Sequence, residues 1–316
     1  METPMIPSQP ATAVSEVVDE PHRWRLSFRR IAPLYLLILP TLLFLLIFIY
    51  YPAISGFFTS FTFWTVKGST WIGWENYEKI LADKRLIASA SNLLQLTLFN
   101  VVVVITMPLL AAALIFHLPH KRVQYWLRVV FVFPMIVPMV VTIMVWRWMY
   151  SLDGGINIML NLIGLSEWTR AWLGDRDVVL YALMFTNFPW IAGLNFLIYL
   201  AGLQNIPQEL LDAAVVDGAS SIRRFFKVEL PLIRGQMRLL VLLTVIYWLR
   251  SFELPLIMTD GGPGWSSMVP GLRMYHTISR DFNLGYGSAI GMVLFAFVLV
   301  VTLIQLRLTR SGEEAI

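Results

Sequence analysis

Six apolar stretches alternate with shorter polar intervals along this 316-residue chain, at residues 32–51, 93–116, 129–148, 178–202, 239–258 and 288–306. A helix needs about 20 apolar residues to cross roughly 30 Å of hydrocarbon, and it must satisfy its backbone polar groups internally. The pattern predicts an all-α membrane fold of six transmembrane helices. The interval between the fourth and fifth stretches stands apart. It carries Glu209, then Asp212-Ala213-Ala214-Val215-Val216-Asp217-Gly218-Ala219, and closes at Val228-Glu229-Leu230-Pro231. From Pro207 it reads as a helix: Gln208 and Glu209 suit the positive end of the dipole, and Leu210, Leu211, Ala214 and Val215 form an apolar stripe. Gly218 permits a positive-φ stop or a close backbone approach, and Ala219-Ser220-Ser221 allows a new start capped by a hydroxyl. The second helix carries Ile222, Phe225, Phe226 and Val228 and ends before Pro231.

Composition agrees with burial in lipid: 57% of residues are hydrophobic and 14% charged, against roughly 25% charged in a soluble domain. The absence of cysteine excludes disulfides, thiolate metal sites and cysteine nucleophiles. The net charge of +4 needs no nucleic acid to explain it, because the basic residues gather at the ends of the stretches, near lipid headgroups. Arg23, Arg25, Arg29 and Arg30 precede the first stretch as they would a secretory signal, but its apolar run is too long for a signal core. It is expected to remain as the first span.

With six spans both termini share a side. That side holds Arg23, Arg25, Arg29, Arg30, Lys121, Arg122, Arg128, Arg223, Arg224, Lys227, Arg234, Arg238, Arg307 and Arg310. The opposite loops hold Lys67, Lys79, Lys84, Arg85, Arg170, Arg176, Arg273 and Arg280. The positive-inside rule assigns both termini and the 207–231 island to the cytoplasm. Residues 1–30 are expected to form a cytoplasmic tail, 31–310 one membrane domain and 311–316 a second short tail. A short helix is expected near residues 75–81.

The island's spacing resembles the cytoplasmic coupling loop of ABC-importer permeases, whose pattern is Glu-Ala-Ala, three residues, Gly, nine residues, then Ile-x-Leu-Pro. Here Asp212 stands for the glutamate and Val228 for the isoleucine, with Ala213, Ala214, Gly218, Leu230 and Pro231 in register. An amphipathic helix lying on lipid is the alternative for the island alone. Further tracts are similar to the carbohydrate-uptake branch, the maltose and glycerol-phosphate transporter type, and to the first of its two paired permeases. They are Trp74-Glu-Asn-Tyr77, Phe133-Pro134, Trp146-Arg-Trp148, residues 201–207, Thr259-Asp-Gly-Gly-Pro-Gly264 and Gly285-Tyr-Gly-Ser-Ala289.

The resemblance implies a membrane subunit with a second permease, a dimer of ATPase subunits beneath and an external solute-binding protein, in a bacterial or archaeal cytoplasmic membrane. It implies that Glu209, Asp212, Ala213, Ala214, Asp217, Gly218, Leu230 and Pro231 meet the ATPase. The chain has no Gly-x-x-x-x-Gly-Lys-Ser/Thr loop, and Asp260-Gly-Gly-Pro-Gly264 lacks the lysine and hydroxyl that grip a nucleotide. It is therefore expected to be no enzyme and to hold no cofactor, with ATP and Mg on the ATPase partners.

Sugars take hydrogen bonds and flat aromatic faces. Helical spacing aligns Asn187, Trp190 and Leu194 in the fourth stretch, and Thr244, Trp248 and Ser251 in the fifth. By position these match places where the maltose-type permeases line their sugar path, although such residues also bond neighbouring helices. Arg250 and Glu253 fall one turn apart, as a mutual ion pair or a gate. Pro134, Pro138 and Pro189 are expected to bend their spans. His117 and His120 have no acidic or cysteine neighbours in sequence, which argues against a metal site. Other readings are an importer of polyamine or inorganic anion, which shares the island, and a secondary transporter, which needs repeated intramembrane acids or broken helix pairs.

Overall fold

The computed structural model describes residues 28–65, 68–191 and 193–310. The terminal tails otherwise fall outside the described residues. The chain divides into two compact units, residues 1–53 and 54–316. Helix α1 (Phe28–Leu45) continues through a wider π turn, Leu46–Tyr50, into α2 (Tyr51–Thr59). Its apolar side chains from Tyr35 onward are exposed all round, as a lipid-facing helix requires.

The second unit begins within α2 and continues with a two-stranded antiparallel hairpin, β1 (Thr62–Thr65) and β2 (Gly68–Trp71), in which Thr62 faces Trp71. The hairpin is not among the expectations from sequence, although Ser60-Phe61-Thr62-Phe63 alternates polar and aromatic residues as a strand does. Helix α3 (Glu75–Ala82) follows where a short helix was anticipated, then α4 (Lys84–Phe116), α5 (Lys121–Val132) and α6 (Met139–Met149). After α7 (Gly155–Leu162) come α8 (Val179–Phe185) and α9 (Gly193–Gln204). The island holds α10 (Gln208–Val216), α11 (Ser221–Arg224), a π segment at Phe225–Glu229 and α12 (Leu230–Leu232). Helices α13 (Arg234–Arg250), α14 (Glu253–Thr259), α15 (Pro270–Ser279) and α16 (Leu284–Arg310) complete the order.

Three helices are long and apolar enough to span a membrane, at Tyr35–Thr59, Lys84–Phe116 and Leu284–Arg307. Two bent pairs raise this to as many as 5: Lys121–Ile136 with Met139–Met149 at 94°, and Ser221–Leu232 with Arg234–Arg250 at 67°. The apolar stretches at 178–202 and 239–258 are not continuous helices, which departs from the expectation. The first breaks after Phe185, because Pro189 has no N–H and forces its predecessor out of the α region. The second breaks at Ser251, whose ψ of 139° is extended. Pro255 lies four residues on, and its ring would strike the Ser251 carbonyl of a continuous helix.

Helix α4 is the hub. At 33 residues it is ~50 Å long, and it is the most buried of the three long spans. Leu109, Ala111, Ala112, Ala113 and Ile115 join Phe196, Tyr199, Leu200 and Leu203 of α9, with Leu240 of α13, in one apolar core. The small alanines let α9 approach closely, which is how helices gain packing when lipid offers no hydrophobic drive. Nearer its start, Leu93 and Leu96 pack with Ile143, Leu183, Leu249, Leu254 and Leu272 in a second core. Leu86 meets Tyr286, Ala289 and Ile290 of α16 in a third.

Candidate functional site

The island folds as two short helices around a turn with one solution. Helix α10 ends with the Gly218 N–H bonded to the Val215 carbonyl at 3.0 Å and the Ala219 N–H to the Ala214 carbonyl at 3.0 Å. This paired closure requires the left-handed region at Gly218, whose φ is 75°. A Cβ there would meet nothing within 4 Å. Of the two roles open to this glycine, the structure therefore selects the positive-φ stop over close approach. Ser220 then caps α11 by accepting from the Arg223 N–H at 3.3 Å.

The island has an inner and an outer side. Leu211 and Ala214 are buried, and Leu211 and Ile233 enter the core shared by α4 and α9. Glu209, Asp212, Ala213, Asp217 and Gly218 are exposed. Leu210 and Val215 also face outward, so half of the expected apolar stripe is not used for packing within the chain. With Val216 at 86% and Ile222 at 74% exposure, and Phe226 also exposed, they leave uncovered apolar side chains interleaved with acids on α10 and with the cations Arg223 and Lys227 after it. Leu230 and Pro231 are half-buried where the island turns into α13.

Behind that surface lies a residue that the sequence reading passed over. Glu229 is fully buried. One oxygen accepts from Arg224 Nε at 3.0 Å, and the other meets His117 Nε2 at 3.0 Å. His117 Nδ1 lies 3.1 Å from Arg224 Nη2. A guanidinium can only donate, so Nδ1 accepts and the imidazole proton sits on Nε2, directed at the carboxylate. His117 thus has an acidic neighbour after all, brought from 112 residues away. Among the described residues no group of three or more His, Cys, Asp or Glu could hold a metal ion.

The two proposed solute faces are replaced by two helix breaks. Asn187 (φ 68°) and Trp190 (φ 58°) are left-handed, so with Leu194 in α9 they do not form one helical face. Asn187 and Leu194 are exposed. The Trp190 indole donates to the Met184 carbonyl at 3.0 Å and packs edge-on against Phe99, Phe185 and Phe188. Thr244 and Trp248 remain on α13, but Ser251 is buried in the break beyond it. Glu253 accepts from the Ser251 hydroxyl and the Phe252 N–H, both at 3.0 Å. No Arg250–Glu253 ion pair forms among the described residues, which corrects the expectation of mutual pairing. The carboxylate instead satisfies the backbone that the break exposes.

Non-helical backbone at membrane depth is tolerated only where protein or a water-filled path receives it. The third break, between α5 and α6, adjoins the first: a Cβ on Gly193 would come 2.7 Å from Met135 Sδ and 2.9 Å from the Phe131 carbonyl. The Pro134 and Pro138 region is therefore a sharp corner, beyond the bend expected from those prolines.

Three of the remaining tracts have structural explanations. Asn76 donates to the Ser60 and Thr62 carbonyls at 2.9 Å, and the Tyr77 hydroxyl meets Ser60 Oγ at 2.7 Å, pinning the hairpin. Gly285 lies against the Thr62 carbonyl and Gly287 against Ile278, with no room for a Cβ at either. Between them Tyr286 donates to Asp83 Oδ2 at 2.9 Å, and Arg273 approaches the same oxygen at 3.3 Å. Burial pushes the Asp83 carboxyl up, but Tyr286, the Leu86 N–H and Arg273 together hold it below its ordinary value. Asp260, left-handed at φ 53°, receives Arg280 at 2.7 Å and His276 at 2.9 Å. The Arg280 bond, against some desolvation and with help from His276, lowers its carboxyl as well.

Comparison with known proteins follows the same lines. Residues 104–311 match the family described as "Binding-protein-dependent transport system inner membrane component". The chain is 31% identical to the "Probable ABC transporter permease protein YurN" of Bacillus subtilis, over 89% of this chain and 97% of that one. It is 30% identical to the "Trehalose/maltose transport system permease protein MalF" of Thermococcus litoralis, over 92% and 98%. In fold it is similar to a chain of a bacterial ABC transporter involved in import of the acidic polysaccharide alginate. That similarity has a TM-score of 0.81 at 23% identity and covers 90% of this chain and 97% of that one.

Proposed function

The chain belongs to the family of binding-protein-dependent transport system inner membrane components, and from that premise we propose that it forms half of the translocation pathway of an ATP-driven carbohydrate importer. It is a multi-pass membrane permease subunit. A second permease of the same family completes the pathway, a pair of ATPase subunits supplies the energy, and an extracytoplasmic binding protein delivers the sugar. The observation that carries the reading is the island, with its Gly218 turn, buried inner face and uncovered apolar and acidic outer face. An outer face whose α10 half is apolar and acidic, with Asp212 and Asp217 repelled by anionic lipid, fits a groove in a soluble partner, with Arg223 and Lys227 available for ion pairs there.

In this reading six spans are counted by joining α8 with α9 and treating α5–α6 and α13–α14 as broken crossings. Both termini and the island then lie in the cytoplasm of a bacterium or archaeon, where ATP and Mg are bound by the ATPase subunits alone. Glu209, Asp212, Ala213, Ala214, Asp217, Gly218, Leu230 and Pro231 form or support the docking surface. The solute path runs past the breaks: Asn187, Trp190 and Leu194 on one side and Thr244, Trp248 and Ser251 on the other, with Arg250 and Glu253 at its edge. Aromatic rings at Trp190 and Trp248 suit the faces of a sugar, and the trehalose/maltose relative supports that cargo class.

The test is reconstitution with the cognate permease, ATPase and binding protein in liposomes, loaded with ATP and offered a panel of oligosaccharides, spermidine and sulfate. ATP-dependent accumulation of a saccharide is expected. Uptake of spermidine or sulfate with no saccharide uptake overturns the carbohydrate assignment.

A further inference from the structure

We propose that Glu229, His117 and Arg224 form a latch that carries movement of the island into α4, and that α4 relays it to the opposite end of the molecule. The inference rests on the reading of the chain as an ATP-driven permease, and it gives Glu229 a positioning role in the cycle. Three observations support it.

The first is the geometry of the ring. Each Glu229 oxygen has its own donor, at 3.0 Å, and Arg224 closes the circuit onto His117 at 3.1 Å. One carboxylate, one guanidinium and one neutral imidazole sum to zero charge, with a single tautomer satisfying all three contacts. Glu229 is buried completely, so neither of its two bonds can be exchanged for water without opening the packing, while the Arg224–His117 bond closes the ring on its exposed side.

The second is what the ring joins. Arg224 and Glu229 are in the island, whereas His117 is the residue that ends α4. Leu211 and Ile233 also tie the island to the α4 core, but apolar contacts are non-directional and permit sliding. A closed circuit of charge-assisted hydrogen bonds has one arrangement. Displacement of the island must therefore drag the end of α4 or break the ring.

The third is the far end of that helix. α4 is one element from Lys84 to Phe116, continuous through Pro108, whereas α5–α6, α8–α9 and α13–α14 are broken. At its start Asp83 holds Arg273 and Tyr286. About two and a half turns further in, Asn92 Nδ2 donates to the carbonyls of Trp265 and Met268 at 3.0 and 2.9 Å. The longest helix is thus bonded at one end to the island and at the other to the loop after Gly-Gly-Pro-Gly264.

The experiment uses the full reconstituted complex and reads solute transported per ATP hydrolysed. Glu229→Gln removes one acceptor, and His117→Leu removes both ring contacts. Each is expected to cut the ratio at least tenfold while the ATPase remains bound and active. His117→Gln, which can accept and donate at once, is expected to keep it within about threefold. Because the chain contains no cysteine, Ile87→Cys at the exposed outer end of α4 adds a readout that needs no solute. Its maleimide reactivity should change with ATP in the parent and lose that response in Glu229→Gln. An unchanged ratio, a preserved Ile87→Cys response, or loss of ATPase binding in Glu229→Gln and His117→Leu alike overturns the latch; the last would make the ring a brace of the fold. The ratio is taken with whichever solute the parent complex accumulates. A non-sugar cargo therefore sinks the carbohydrate reading and leaves this test intact.

Discussion

Replacing Gly218 isolates backbone conformation from crowding, because the structure leaves open space where its Cβ would be. At φ 75° an ordinary L-residue is strained by roughly 1–2 kcal/mol, while asparagine visits this region readily. Released by opening the turn, that strain shifts the closed population by at most a factor of about 5–30. Affinity for a partner that binds only the closed turn falls by the same factor. Titrating the cognate ATPase onto the purified permease pair measures it directly. Gly218→Ala is expected to weaken docking by up to about 5- to 30-fold, Gly218→Val more, since a β-branched residue is a genuine outlier at positive φ, and Gly218→Asn least. Uptake should follow the same order. Steric reasoning gives a different order, with alanine mildest because it is smallest. If Gly218→Ala proves milder than Gly218→Asn, the conformational account of this joint is wrong.

Other positions give equally direct expectations. Gly285→Ala pushes a methyl into the Thr62 carbonyl and should cost about 1–3 kcal/mol, read as a lower melting temperature in detergent; an unchanged melting temperature would mean that the hairpin docks loosely. Asp83 is held below its ordinary 3.8, so its contribution is in place above that pH and fades as pH falls through the lowered folded value. Asp83→Asn should therefore melt earlier than the parent from pH 7 down to 5, the two converging only below 3.8; convergence by pH 5 would refute the assignment. Trp190→Ala, which removes the ring held by Phe99, Phe185 and Phe188, should reduce uptake tenfold or more in the liposome assay, whereas the exposed Trp168→Ala should leave it unchanged. Equal uptake by both variants would remove Trp190 from the solute path.

The helix breaks bear on how such a bundle moves. A continuous helix resists bending, whereas a segment whose hydrogen-bond ladder is interrupted can change angle by altering a few dihedrals. The breaks lie around Asn187, Ser251 and Val137, and α4 beside them is unbroken. This division sets jointed elements beside long continuous helices, α4 and α16. The uncovered residues Val216 and Ile222 lie on α10 and α11, in the island that the ring at Glu229 fastens to the end of α4.

Length, apolar runs and the Asp212-to-Pro231 spacing were sufficient to determine the class: a helical membrane protein of the permease family with a polar, two-helix island. Those features are local. Twenty apolar residues, a glycine at a helix stop and a hydroxyl at a helix start act within a few residues of themselves. The same locality misled wherever a helical period was extended across a proline. Asn187, Trp190 and Leu194 share a face only if the helix survives Pro189, and Thr244, Trp248 and Ser251 only if it survives the approach to Pro255. Both prolines were visible, and the clash with the carbonyl four residues back was the signal that could have marked the second break.

The ring of His117, Arg224 and Glu229 had no such signal. Its members are separated by up to 112 residues, and each reads alone as an ordinary loop or surface residue. Only the packing of α9 and α13 against α4 brings them together, and only full burial turns a carboxylate that water would have screened into one that must hold its partners. What the chain is could be read from patterns that short stretches impose on themselves. How its two ends are joined was decided by tertiary contact, because hydrogen-bond geometry and desolvation belong to the assembled fold and to no segment of it.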